Sequence, residues 1–130
     1  MARTARSPPA TRSSVDSGAV LAKATARAAT LLGLNGAALA KVLGASEATV
    51  SRVVRGERTL PPQTKEGELA ALLVRLFRSL DALVGNDEAR RLAWMRSYND
   101  ALNGTPGELI LRAEGLVLTV AYVDGMRAPL

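Results

Sequence analysis

The sequence predicts an all-α protein, in which a helix-turn-helix bundle is followed by a smaller helical region. Three observations support this fold class. Alanine and leucine dominate from about residue 16 onward, turn residues recur at short intervals, and apolar residues repeat at spacings of three and four. Only residues 116–123 have the β-branched content of a strand. We predict a helix there as well, because no second strand is present to pair with it.

The first helices are delimited by glycines. Gly33 is placed to take the left-handed conformation after the first helix, Gly44 lies in the tight turn between the next two, and Gly56 ends the third. The following Leu60-Pro61-Pro62 forces an extended break, because proline disfavours helix in the residue before it. These signals predict helices over residues 20–32, 36–43 and 47–55.

The clearest periodicity predicts an amphipathic connecting helix of about five turns. Its apolar residues are Leu69, Leu72, Leu73, Leu76, Phe77, Leu80, Leu83 and Val84. After Gly85, Asn86-Asp87-Glu88 predicts an N-cap and a helix that ends near Trp94 or Arg96. The segment from Thr105 to Glu108 has the pattern of a capping box, with Pro106 at the first helical position.

Charge is divided unevenly along a chain whose formal net charge is +5. Residues 1–65 hold ten basic and three acidic side chains, a sum of +7, whereas residues 66–130 hold seven and nine, a sum of −2. The arginine-rich start, residues 1–16, is predicted to be a disordered basic tail. A transit peptide is the weaker interpretation, because Pro8-Pro9 would interrupt its amphipathic helix. The positive half predicts a polyanionic partner.

The composition argues against an enzyme. The chain has no histidine and no cysteine, which removes the commonest general base, thiolate nucleophiles and the usual ligands of zinc. No glycine-rich phosphate loop is present either. We therefore expect no catalytic residue, no metal and no cofactor. No apolar run approaches the roughly 18 residues of a transmembrane span, so we expect a cytoplasmic protein without a membrane partner.

Residues 36–55 fit the pattern of a helix-turn-helix. Small Ala40 stands where the two helices cross, and Gly44 stands where the turn needs positive φ. The positions that form the hidden face are all apolar: Leu39, Leu43, Ala45, Val50 and Val53. A plain helical hairpin in an all-α core is the alternative. The match of every diagnostic position, together with the +7 charge of this half, favours binding to double-stranded DNA.

The predicted DNA-binding residues lie on and around the second helix of this pair. Ser46 is its natural N-cap, and its hydroxyl and the free amides behind it suit a phosphate. Arg52 or Arg55 can pair bidentately with guanine in the major groove. Lys41 and Arg58 are candidates for phosphate contacts, with a solvated surface role as the alternative. The side chains expected to face the groove are Glu47, Ala48, Ser51, Arg52 and Arg55.

The sequence resembles a known family. The window is similar to the Xre-type helix-turn-helix of phage Cro and C1 repressors, and the remainder is similar to the toxin-binding domain of Xre/MbcA/ParS-type antitoxins. The resemblance covers about residues 20–126. Tyr98 and Gly107 depart from it, where the family usually has proline and an apolar residue. The residues that carry the second likeness are Trp94, Asn99, Leu102, Gly104, Thr105-Pro106, Leu109, Glu114-Gly115, Val120 and Gly125.

The resemblance implies an antitoxin that neutralises a RES-domain toxin, an enzyme that consumes NAD. Such antitoxins form homodimers, repress their own promoter through the helix-turn-helix, and cover the toxin's active-site cleft in a higher-order complex. It places the end of the chain near that cleft, and so implies toxin contacts by Asp124, Gly125, Met126 and Arg127. Two alternatives stay open: a free-standing phage-like repressor, and a protein-interaction module whose helix-turn-helix no longer binds DNA.

The expected organisation has four parts. The tail, residues 1–16, is followed by the DNA-binding domain, residues 17–62, and the connecting helix, residues 63–85. The toxin-binding domain is assigned to residues 86–130. Within it, Trp94 is predicted to be a core residue, with an interface anchor as the alternative, and Asn99 is predicted to cap a short turn by binding a backbone amide.

Overall fold

The computed structural model describes the backbone of residues 9–128 and the side chains of residues 17–128. Within this range the chain forms seven α-helices and no strand, so the predicted all-α class is confirmed. Asn99 and Gly104 form an isolated β-bridge. No helix of this range is long and apolar enough to span a membrane. The helices are α1 (Pro9–Leu31), α2 (Gly36–Leu43), α3 (Glu47–Val54), α4 (Lys65–Leu83), α5 (Glu88–Arg96), α6 (Pro106–Leu109) and α7 (Ala113–Arg127).

The first helix begins earlier than the sequence predicted. We assigned residues 1–16 to a disordered tail, whereas the backbone is helical from Pro9 onward. Proline suits the first position of a helix, because its missing amide would have no partner there. Residues 1–8 lie outside the described residues, so the tail prediction is not tested for them. The other end agrees with the prediction, since Gly33 adopts a φ of +78° after α1.

The ambiguous segment 116–123 is helical and forms the middle of α7, as predicted. Leu116, Val120 and Val123 are buried, which matches the spacing of one helical face. Thr119 is also fully buried, and its hydroxyl donates to the carbonyl of Gly115 at 2.7 Å. The β-branched content of this segment therefore serves packing within a helix.

The predicted capping box at Thr105 is wrong. Thr105 is the N-cap of α6, but its side chain makes no capping hydrogen bond. The amide of Glu108, which the hydroxyl was expected to bind, donates to the carbonyl of Thr105 at 2.9 Å instead. This backbone bond spans three residues, as in a 3₁₀ turn, and uses the amide that the capping box requires.

Helix α4 lies at the centre of the fold and packs against α1 on one side and α7 on the other. Leu73, Leu76 and Leu80 of α4 have no solvent-exposed surface. One hydrophobic cluster extends from α1 through α4 to α7, and Trp94 packs against its edge. Burial of each leucine stabilises the fold by about 1.5–3 kcal/mol, so α4 is the main contributor to the core.

Two buried glycines allow backbone segments to approach each other closely. Gly67 in the first turn of α4 faces the carbonyl of Pro61, and Gly115 in the first turn of α7 faces the carbonyl of Leu109. A Cβ atom at either position would collide with that carbonyl oxygen. Each helix therefore begins directly against the segment that precedes it, and glycine is required at both contacts.

A buried arginine joins three helices. Arg91 of α5 is only 4% exposed, and its Nη1 donates to the Asp81 carboxylate of α4 at 2.8 Å. Its Nε donates to the carbonyl of Leu31, at the end of α1, at 2.8 Å. The guanidinium carbon also lies 5.6 Å from the centre of the Phe77 ring. Arg91 therefore links α5 to α4 and to the end of α1.

We expect Arg91→Ala to lower the free energy of unfolding by about 3 kcal/mol, because it leaves Asp81 and the Leu31 carbonyl without their donor. Urea denaturation at neutral pH measures the change. The matched control is Arg90→Ala, since Arg90 is the neighbouring arginine on α5 and is exposed. A loss at Arg91 no larger than that at Arg90 would contradict a stabilising role for the Arg91–Asp81 pair.

Candidate nucleic-acid interface and C-terminal surface

Helices α2 and α3 form the predicted helix-turn-helix. Gly44 adopts a φ of +66° and a ψ of +34° between them, the left-handed conformation that the turn requires. Of the predicted hidden face, Leu39, Leu43, Val50 and Val53 are buried and Ala45 is partly buried. The burial of this face fixes the orientation of α3, so its opposite side is presented to solvent.

The predicted contact residues of α3 lie on that outer side. Glu47, Ala48, Arg52 and Arg55 are exposed, and Ser51 is partly exposed. Ser46 caps the helix as predicted, with its hydroxyl accepting from the amide of Thr49 at 3.0 Å. The same hydroxyl lies 3.0 Å from the Thr49 hydroxyl. A phosphate contact by Ser46 remains a prediction, and it would involve a hydroxyl that already caps the helix.

The basic residues around α3 differ in their surroundings. Arg55 forms a two-pronged ion pair with Glu57, and Arg58 donates to Glu66 of α4 at 3.1 Å. The hydrogen bonds between the two side chains, and then the charge of each on the other, lower the pKa of Glu57 and raise the pKa of Arg55, so both are charged at neutral pH. Arg52 and Lys41 are exposed, and neither forms an ion pair with another residue of the described range.

The C-terminal residues of α7 are joined to α4 by a network of polar side chains. Buried Ser79 donates to one oxygen of Asp124 at 2.6 Å, and Arg75 contacts the other at 2.6 Å. Arg127 donates to the Ser79 hydroxyl at 3.0 Å. The Ser79 hydrogen bond, aided by the charges of Arg75 and Arg127, holds the pKa of Asp124 below its ordinary value. Asp124 is therefore an anchor of α7 on α4.

The other residues predicted to contact a toxin are exposed. Met126 has 49% of its surface exposed to solvent, and Gly125 and Arg127 are also exposed. A Cβ atom added to Gly125 would meet nothing within 4 Å. The structure thus brings Asp124 and Arg127 together through Ser79, and it leaves Gly125 and Met126 free to contact another molecule.

Sequence reasoning missed the partners of these charged residues. Glu57 was not singled out, although its place two residues after Arg55 is a local signal for an ion pair. Arg75 and Ser79 were missed because each lies more than forty residues from Asp124 in sequence. Asn99 was assigned correctly, since its side chain accepts from the amide of Leu102 at 3.1 Å.

The described residues contain no metal-ligand cluster, which would need three or more histidine, cysteine, aspartate or glutamate side chains close together. A shallow groove of about 390 Å³ runs beside α3. Its walls come mainly from small and aliphatic residues of α1, α2, α3 and the α1–α2 connection, and its charged residues are Glu47 and Arg55. The groove borders the outer side of α3.

Comparison with known families gives two matches that together cover most of the chain. Residues 11–75 match the antitoxin Xre-like helix-turn-helix domain, and residues 79–128 match the antitoxin Xre/MbcA/ParS C-terminal toxin-binding domain. A search of the curated proteins found no relative that matches. The first match alone spans half of the chain. The boundary between the two matches falls within α4.

We expect Asp124→Asn to lower the free energy of unfolding by about 1 kcal/mol at neutral pH, because the neutral amide loses its attraction to Arg75. Since the folded-state pKa of Asp124 is lowered, its contribution is complete above the ordinary carboxyl pKa. It is lost as pH falls through the lowered folded-state pKa, so the difference between wild type and variant should begin to shrink below about pH 4. Urea midpoints between pH 7 and 3 measure this, with exposed Asp100→Asn as the control. A gap that stays constant with pH would contradict the assignment.

Proposed function

Because the chain belongs to the antitoxin family that joins an Xre-like helix-turn-helix domain to an Xre/MbcA/ParS C-terminal toxin-binding domain, we propose that it neutralises a RES-domain toxin and represses its own promoter. In this proposal the C-terminal region covers the active-site cleft of the toxin, an enzyme that consumes NAD. The helix-turn-helix binds operator DNA as a homodimer. The free-standing repressor is the weaker candidate, since a toxin-binding domain spans residues 79–128.

The observation that carries the DNA-binding part is the orientation of α3. Core packing hides Val50 and Val53, which leaves Arg52 and Arg55 on the exposed side. An α-helix fits the major groove of B-DNA, where an arginine can donate to both O6 and N7 of guanine. A single short helix contacts few base pairs. Two copies on half-sites about one helical turn apart would supply a longer recognition sequence.

We expect Arg52→Ala and Arg55→Ala each to weaken binding to the promoter of the chain's own reading frame by about tenfold or more, since a bidentate contact with guanine contributes about 1–3 kcal/mol. Fluorescence anisotropy with promoter and random-sequence duplexes measures the affinity. Binding of the wild type should also fall steeply with salt, by about 0.9 in log–log slope per phosphate contacted. Arg78→Ala, an exposed arginine of α4, is the control. Unchanged promoter affinity in both α3 variants would refute the placement of the reading helix.

The toxin-binding part is supported by a different observation. The polar network around Ser79 anchors Asp124 and Arg127 on α4, and it holds the end of α7 in one orientation. Met126 and Gly125 project beyond this anchor with exposed surface. In the proposal, Gly125 and Met126 contact the toxin directly. Asp124 and Arg127 then contribute mainly by positioning them, and Arg127 retains exposed surface for a contact of its own.

We expect removal of residues 126–130 to abolish neutralisation of the toxin, because it deletes the projecting end of α7. The measurement is growth during co-expression with the product of the adjacent reading frame, together with co-purification. Met126→Asp should weaken neutralisation without truncation. Val20→Asp is the matched control, since Val20 is an apolar residue of α1 with 69% exposure. Full neutralisation by both the truncated chain and Met126→Asp would overturn the cleft-covering role.

A further inference from the structure

The chain immediately after α3 folds back against the helix that is proposed to read DNA. Gly56 adopts a φ of +78°, and its amide donates to the carbonyl of Val53 at 3.1 Å. The next amide, that of Glu57, donates to the carbonyl of Arg52 at 2.8 Å. This pair of bonds is a Schellman motif, which closes a helix with a left-handed glycine. It fixes the backbone of Glu57 beside the last turn of α3.

From this position the Glu57 carboxylate accepts two hydrogen bonds along one edge of the Arg55 guanidinium. Its Oε2 accepts from Nε at 3.2 Å, and its Oε1 accepts from Nη2 at 3.1 Å. On the other side of the group, Nη1 of Arg55 donates to the hydroxyl of Ser51, one turn earlier on α3. The guanidinium plane is therefore held from two directions by residues whose backbones are fixed.

Two N–H donors of the Arg55 guanidinium remain for a ligand. A guanidinium has five N–H groups, of which Glu57 uses two and Ser51 uses one. The two that remain are one on Nη1 and one on Nη2, the adjacent terminal nitrogens. Guanine presents O6 and N7 side by side in the major groove, and it needs two adjacent donors of this kind. We propose that Glu57 is a specificity-determining residue, which holds Arg55 so that its terminal donors read guanine.

This inference rests on the proposed DNA binding by α3. The pair adds little to folding stability, since both side chains are more than half exposed, at 55% and 56%. Its effect lies in recognition. A free arginine side chain loses rotamer freedom when it binds a base, whereas a held one has already lost it. The carboxylate also repels phosphate, so Glu57 weakens binding to every sequence while it favours the sequence that Arg55 reads.

A second arginine–glutamate pair provides the matched control. Arg58 donates to Glu66 through Nη2 alone, at 3.1 Å, and Glu66 lies in the first turn of α4. This single bond leaves the guanidinium free to rotate about it. Glu57→Gln and Glu66→Gln each remove one negative charge and lie nine residues apart in sequence, but only Glu57→Gln removes a carboxylate from the proposed reading arginine.

The experiment uses the full chain and anisotropy titrations at fixed salt. The duplexes are the chain's own promoter, a random-sequence duplex, and promoter duplexes in which 7-deazaguanine replaces one guanine at a time and so removes its N7 acceptor. For wild type we expect one guanine per half-site at which the replacement weakens binding about tenfold. In Arg55→Ala this guanine should no longer matter. In Glu57→Gln the penalty should shrink severalfold, random-sequence binding should tighten, and the promoter-to-random ratio should fall about tenfold.

Glu66→Gln should tighten binding to both duplexes equally and keep the 7-deazaguanine penalty. Ser51→Ala, which removes the second contact to Arg55, should reduce the penalty in the same direction as Glu57→Gln. An unchanged or higher promoter-to-random ratio in Glu57→Gln would overturn the inference, because Glu57 would then only compete with DNA for Arg55. If the wild type shows no preference for its promoter, the proposed DNA-binding function fails and this inference fails with it.

Discussion

The burial of α4 between α1 and α7 is the constraint on which the rest of the structure depends. The three leucines at its centre are fully buried, and the hydrophobic cluster around them includes residues of both flanking helices. The two family matches meet within this helix, at residues 75 and 79. The DNA-binding region and the toxin-binding region therefore share one core, because the same helix supplies apolar residues to both.

Two sets of polar contacts, one with α5 and one with α7, also involve α4. Asp81 accepts a hydrogen bond from the buried Arg91, which also donates to the Leu31 carbonyl and so joins α5 to the end of α1. Ser79 and Arg75 donate to the Asp124 carboxylate and so set the position of the last turn of α7. Apolar packing alone permits a helix to slide or rotate, whereas these directional bonds select one arrangement. The orientation of the C-terminal surface thus follows from contacts that α4 makes.

The exposed surface of α3, which is proposed to bind DNA, has a different physical basis. Its backbone is organised locally: Ser46 caps α3, Gly44 makes the turn before it, and Gly56 closes its end. The exposed arginines then depend on what lies beside them. Arg52 projects into solvent, while Arg55 is held by Glu57 in a fixed plane. Two arginines three residues apart on the same helix therefore differ in how freely their guanidinium groups can move.

Sequence reasoning located the helices well because their signals are local. The hidden face of the helix-turn-helix, the left-handed glycines and the Ser46 cap each depend on residues within a few positions of one another. The start of α1 and the capping box at Thr105 were predicted wrongly, although their signals are also local, because each segment offers more than one local arrangement. Proline suits the first position of a helix, so α1 begins at Pro9, before the predicted residue 20. The Glu108 amide donates to the Thr105 carbonyl and not to its hydroxyl.

By itself, the sequence determined the all-α class, the exposed face of α3 and the division of charge between the two halves, because periodicity and composition encode them directly. Only the tertiary structure decided which charged groups meet. Asp124 and Ser79 are separated by 45 residues, and Arg91 and Leu31 by 60. Such pairs form when core packing brings their helices together. That packing made Asp124 an anchor of α7 on α4, with Met126 left exposed beyond it.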